Sequence, residues 1–143
     1  METLGSLLDK YSIAKLRHNN MIERNMPSET VTLVVKQIEG FQEEINSYLS
    51  SAIKGEIPLE EPKFKIYKGE NPSGQVFENI SQAINGLFDA NFTLWGLEDK
   101  RRETERTDAE IRIICDDVAT FNRKRNDCMD EVNKLLKKLV DNV

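Results

Sequence analysis

Residues 31–52 read VTLVVKQIEGFQEEINSYLSSA, and Val31, Val34, Ile38, Phe41, Ile45, Tyr48 and Ala52 recur along them at alternating steps of three and four. That spacing is the heptad signature of a helix burying one stripe. Gly55 follows as a natural C-terminal stop. Upstream, Asn25-Met26-Pro27-Ser28 interrupts the pattern. Pro27 disfavours helix at the residue before it, and Ser28 is expected to cap the helix that follows. A helix over about 28–54 is therefore expected.

Working outward, Leu4, Leu7, Tyr11, Ala14, His18 and Met21 form a second stripe, widened by Leu8 and Ile22. It predicts a helix over about 3–24, and the short turn to the next helix implies an antiparallel hairpin. Beyond Gly55, three of the four prolines and Gly69 and Gly74 mark a connector over 55–74. Within it Lys63-Phe64-Lys65-Ile66-Tyr67-Lys68 alternates like a strand. It is expected to lay Phe64 and Ile66 across an open end or side of the bundle, or to pair with the same segment of another subunit. A third helix is expected over about 75–102 and a fourth over about 108–141. Thr107-Asp108-Ala109-Glu110 has the form of a capping box, which starts the fourth. The expected fold is all-α: a single domain over 1–143, an antiparallel four-helix bundle of two hairpins joined by a Pro- and Gly-containing connector. The direction of the third helix after that connector is left open.

The 143 residues are 38% hydrophobic, 31% charged and 7% aromatic, which fits a packed helical domain better than a disordered or all-β chain. The net charge of −5 argues against a nucleic-acid partner. No apolar run of about 18 residues exists to span a membrane. Met1 to Gly5 carries no basic stretch leading into an apolar one, so no secretory leader is expected. Cys115 and Cys128 lie roughly 20 Å apart on one helix, too far for a disulfide. Two free, packed thiols point to a reducing, cytoplasmic setting.

The informative residues are polar ones on apolar stripes. In the third helix the stripe Phe77, Ile80, Ile84, Leu87 continues into Asn91, Leu94 and Glu98, with Trp95 and Asp99 alongside. In the fourth, Ile111, Ile114, Val118 and Phe121 lead to Arg125, then Cys128, Val132, Leu135 and Leu139. Asn126 and Asp127 follow Arg125, and the only histidine, His18, lies on the first stripe. Buried charges need partners. Counting turns from matching helix ends in an up-down-up-down bundle puts His18 level with Glu98 and Asp99. The same count puts Arg125 and Asp127 level with Asp9 and Lys10. If the third helix runs the other way, Glu98 moves towards Asp9. Such groups are read as internal salt bridges that fix register, as a small polar pocket, or as stripe positions exposed by an early helix end.

The run Asn91-Phe92-Thr93-Leu94-Trp95-Gly96-Leu97-Glu98-Asp99-Lys100, with the later Arg125-Asn126-Asp127, resembles an uncharacterised helical family of bacterial and phage proteins. Its members carry an N-x-x-L-W-x-x-E-D helix and a later R-N-D helix. The opening Leu4-Gly5-Ser6-Leu7-Leu8-Asp9-Lys10-Tyr11-Ser12-Ile13 is similar to the L-G-x-L-h-D-K-x-[ST]-I start of such proteins (h is apolar). The resemblance covers about half the chain. It implies a helical fold and a bacterial or phage origin, and carries no activity. Gly96 stands where a bulkier residue is common.

Catalytic chemistry finds little support. A di-iron bundle needs Glu-x-x-His on two helices, and the residue three before His18 is Lys15. Zinc ligation by Cys and His fails because Cys115 and Cys128 are thirteen residues apart on one helix, and a single His on a core stripe builds no Ser-His or Cys-His nucleophile. Nucleotide pyrophosphohydrolases of helical fold use E-x-x-E turns; here only Glu98, Asp99 and Asp127 offer weak Mg²⁺ ligands. No Gly-rich phosphate loop is present. The leading expectation is a cytoplasmic bundle that acts by binding, as a homo-oligomer or with a protein partner. The alternatives are a metal-dependent phosphate-ester or nucleotide hydrolase, and a protein sequestering a small anionic ligand. Candidate binding residues are Asp9, Lys10, His18, Asn91, Trp95, Glu98, Asp99, Arg125, Asn126 and Asp127. No cofactor is expected unless Mg²⁺ serves.

Overall fold

The computed structural model of the chain describes residues 2–59 and 76–142. The Lys63–Lys68 segment, expected to be extended, lies outside the described residues. Four helices make up the fold: α1 (Leu4–Glu23), α2 (Ser28–Ile53), α3 (Ile80–Arg101) and α4 (Asp108–Asp141). No strand occurs among the described residues. The all-α four-helix bundle of two hairpins is as the stripes require. No helix among the described residues is long and apolar enough to cross a membrane.

The ends follow local chemistry. Thr3 caps α1, its side chain accepting from the Ser6 N–H. The Thr107–Glu110 capping box is complete, with each side chain bonded to the other's backbone N–H. Gly55 has φ +72°, the left-handed turn that ends α2 without a Cβ penalty. Two expectations are corrected. Ser28 lies inside α2, whose cap residue is Pro27 and has no side-chain cap bond. The third helix starts at Ile80 because the Asn79 side chain takes the Gln82 N–H at 3.0 Å. Phe77 thus precedes the helix and packs against the core instead of continuing its stripe.

The main core gathers Leu4 and Leu8 of α1, Ala83 and Leu87 of α3, and Cys128, Val132 and Leu136 of α4. Each large apolar side chain buried here contributes about 1.5–3 kcal/mol relative to exposure. Gly5 lets α1 and α4 cross closely: a Cβ there would lie 2.5 Å from the Met129 carbonyl oxygen. At the same crossing the Gly5 N–H, one of the unpaired first-turn donors of α1, donates to Asn133 Oδ1 at 2.8 Å. Leu4 and Leu8 therefore meet the start of α3 and the end of α4. The third helix runs parallel to α1 and the fourth antiparallel, which is the up-down-up-down sense.

The bundle is not square. α1 touches all three other helices, α3 packs most extensively on α4, and α2 leans chiefly on α1. As a consequence Phe41 and Val118, core positions by their stripes, are only half-buried. Past Ala14 no residue of α1 is buried, and past Leu94 none of α3. The end carrying the α1–α2 turn and the start of α4 is open, with Ile22 54% and Ile113 62% exposed. Cys115, expected to pack, is exposed, whereas Cys128 is buried; neither is in a disulfide among the described residues.

Candidate functional site

At the boundary between the tight core and the open end sits one polar layer. Asp9 follows Leu8 on the buried face of α1 and is 5% exposed. Its Oδ1 accepts from Arg125 Nε at 2.7 Å and its Oδ2 from Arg125 Nη2 at 2.6 Å. This is the planar two-bond match of guanidinium to carboxylate. Asn91 Nδ2 donates to Asp9 Oδ1 at 2.8 Å and to Ser12 Oγ at 2.6 Å. The Ser12 hydroxyl in turn donates to the Asp9 carbonyl at 3.2 Å. Three helices are thereby tied by one carboxylate. The Asp9 bond raises the Arg125 guanidinium above its ordinary value, with burial opposing. It is a permanent cation at any working pH.

Directly above this layer the open end forms a cleft of about 320 Å³. Ile13 of α1 faces Asn91, Leu94, Trp95, Glu98 and Asp99 of α3, with Arg102 at its C-cap and Asn122 and Arg125 of α4 closing the wall. The Arg125 side chain is 30% exposed, and its Nη1 has no hydrogen bond among the described residues. Glu98 is held by Arg101 at 2.7 Å. Asp99 and Arg102 side chains have neither ion pair nor hydrogen bond among the described residues. A second, more aromatic cleft of about 370 Å³ lies against Tyr11, Ser12, Leu16, Phe88 and Phe92. The Tyr11 and Phe88 rings stand 6.4 Å apart there. Charged groups there are Lys15 and Asp89.

The structure brings Asn91, Trp95, Glu98, Asp99 and Arg125 together around the first cleft, with Asp9 beneath it. It does not bring in the remaining candidates. Lys10 points away and pairs with Glu2. Asn126 is exposed. Asp127 is 1% exposed, buried in the core rather than on the cleft. His18 is half-buried, and no hydrogen bond or ion pair joins it to Glu98 or Asp99, although it lies at their level. The expected upper polar layer does not form, since at that level, past Ala14 and Leu94, neither α1 nor α3 buries a residue. Among the described residues no three His, Cys, Asp or Glu side chains gather to hold a metal, so Glu98, Asp99 and Asp127 form no shared site.

The sequence candidates do not include Ser12, Ile13, Asn122 or Arg102, the last read within the basic cluster Lys100-Arg101-Arg102 as a solvated helix end before a phosphate-docking one. Ser12 could have been found three residues from Asp9 on the same face. Arg102 had no such signal, since a basic helix C-terminus is commonly a solvated end.

No protein-family model, curated protein or solved structure matches the chain.

Proposed function

We propose that the chain acts by binding, and that its site is the cleft between α1, α3 and α4, taking a small ligand that carries an anionic group. The observation that carries this reading is Arg125. Asp9 holds its guanidinium through Nε and Nη2, Nη1 takes no part in that pair, and Arg125 lines a cleft that also holds the only Trp. A preorganised donor beside an aromatic face is a common basis of small-ligand recognition. The N-x-x-L-W-x-x-E-D residues Asn91, Leu94, Trp95, Glu98 and Asp99 line this same cleft, which supports reading the resemblance to the helical bacterial and phage family as one of site. The hydrolase alternative lacks a gathered carboxylate set among the described residues. Two cysteines without a disulfide among the described residues fit a reducing, cytoplasmic setting.

Because Trp95 is the sole Trp, its emission reports on the cleft directly. Titration of the full chain with small carboxylates, inorganic phosphate and nucleotides should move Trp95 emission and raise the melting temperature for at least one class. If none does so at millimolar concentration, the cleft is not a ligand site.

A second reading, self-association, is favoured by α2. Its stripe residues Val31, Ile38 and Phe41 are only half-buried, and Leu33 is 68% exposed. Light scattering across micromolar concentrations tests it; a strictly monomeric mass removes it.

A further inference from the structure

The charges around the cleft restrict its ligand. Arg102 and Arg125 are matched by Glu98 and Asp99, so the wall is balanced rather than basic. A phosphate or polyphosphate drawn to Arg125 would enter a cleft lined by two carboxylates of α3, and like charges brought together there are costly. A ligand with one anionic and one cationic end meets no such repulsion. Glu98 is already engaged by Arg101, which leaves Asp99 as the acceptor for a cation. Arg125 Nη1 and Arg102 are the donors for an anion. Ile13, Leu94 and Trp95 provide apolar wall in the same cleft. The volume, about 320 Å³, lies at the small end of ligand pockets, which span roughly 300–1,000 Å³.

Resting on the cleft reading above, the geometry points to a zwitterion as ligand: an α-amino acid or short peptide with an apolar side chain. Its carboxylate lies toward Arg125 and Arg102, its ammonium toward Asp99, and its side chain against Trp95 and Leu94. The site is then neutral when filled, with each ligand charge meeting its opposite.

The test is a titration of the full chain followed by Trp95 emission and melting temperature. The probes are L-leucine, leucyl-leucine, N-acetyl-leucine, leucinamide and inorganic phosphate. Leucine or leucyl-leucine should bind, and the two blocked analogues should bind about tenfold more weakly or worse, each having lost one charge-assisted contact. Asp99→Asn and Arg102→Gln replace exposed side chains outside the Asp9 network, so they keep the fold. Each should weaken leucine about tenfold, and Asp99→Asn should leave N-acetyl-leucine unchanged. Equal binding of leucine and N-acetyl-leucine overturns the ammonium contact and with it the proposal. Phosphate binding with no response to leucine or its dipeptide overturns the ligand class while the cleft stands. Silence from every probe overturns both.

Discussion

Asp9 is the residue on which the interior depends. Buried charge is tolerated only with partners, and Asp9 has two: the Arg125 fork and the Asn91 amide. Removing Arg125 alone leaves a carboxylate that is 6% exposed with a single neutral donor beside it. Arg125→Met should therefore destabilise the fold by about 3 kcal/mol, the low end for a broken buried pair because the guanidinium is partly wet. Asp9→Leu combined with Arg125→Met removes both charges, and should recover most of that loss or exceed wild type. Urea melts of wild type, both single variants and the double variant give the coupling. A double variant no more stable than Arg125→Met would mean the apolar pair does not fit the layer. Arg125→Lys should not substitute, since an ammonium cannot bridge both oxygens in the plane.

The elements were legible where one helix face decides their existence, and less so where a neighbour decides their burial. Stripe, capping box and breaker placed all four helices, since these depend on residues within a few turns of each other. Turn counting also set Arg125 against Asp9, because rise per residue is fixed once the direction is. Phe41 and Val118 were misjudged because a stripe tells which face is inward and not how closely another helix approaches it. The upper His18 layer was misjudged for the same reason, the loss of burial past Ala14 and Leu94 having no local signature. Two element-scale outcomes follow from the ends and crossings. Glu110 is held below the ordinary carboxylate range, first by the Thr107 hydroxyl and then by the Thr107 N–H. A lowered carboxyl stabilises the fold above its unfolded value, and that stabilisation is lost as pH falls through the folded value. Glu110→Ala should lower the melting temperature at pH 7, and the difference should shrink as pH falls below the ordinary carboxylate range. A gap that persists in acid would mean the box acts through packing and not charge. At the α1–α4 crossing, Gly5→Ala gains up to about 1 kcal/mol in helix propensity. It also sets a methyl 2.5 Å from a backbone oxygen that cannot rotate away. Overpacking should win, for a net loss of about 1–3 kcal/mol in chemical denaturation. An Ala variant as stable as wild type would mean the helices separate freely there.

At the scale of the whole molecule, the chain is a tight three-helix seam with a fourth helix laid on one of its members. α1, α3 and α4 share the core around Leu87 and Val132, both fully buried, whereas α2 leans chiefly on α1. This asymmetry predicts unequal responses to the same kind of truncation. Leu87→Ala, in the shared core, should cost about 3–5 kcal/mol because the cavity is walled by three helices. Phe41→Ala removes a larger side chain but a half-buried one, with solvent free to fill the gap. It should cost about 1–2 kcal/mol, well under the ~3–5 kcal/mol of a fully buried Phe. Urea melts of the two variants at low micromolar concentration decide the ranking. A Phe41→Ala loss as large as that of Leu87→Ala would place Phe41 in a closed interior in solution. The described residues provide none on that face, so a second copy, or chain outside them, would have to supply it. The same melts repeated at tenfold higher protein concentration then discriminate. A midpoint that rises with concentration for wild type but not for Phe41→Ala identifies α2 as the face joining two copies. A midpoint independent of concentration in both leaves α2 as a solvated flank of a monomer, and the unequal losses as a property of one chain.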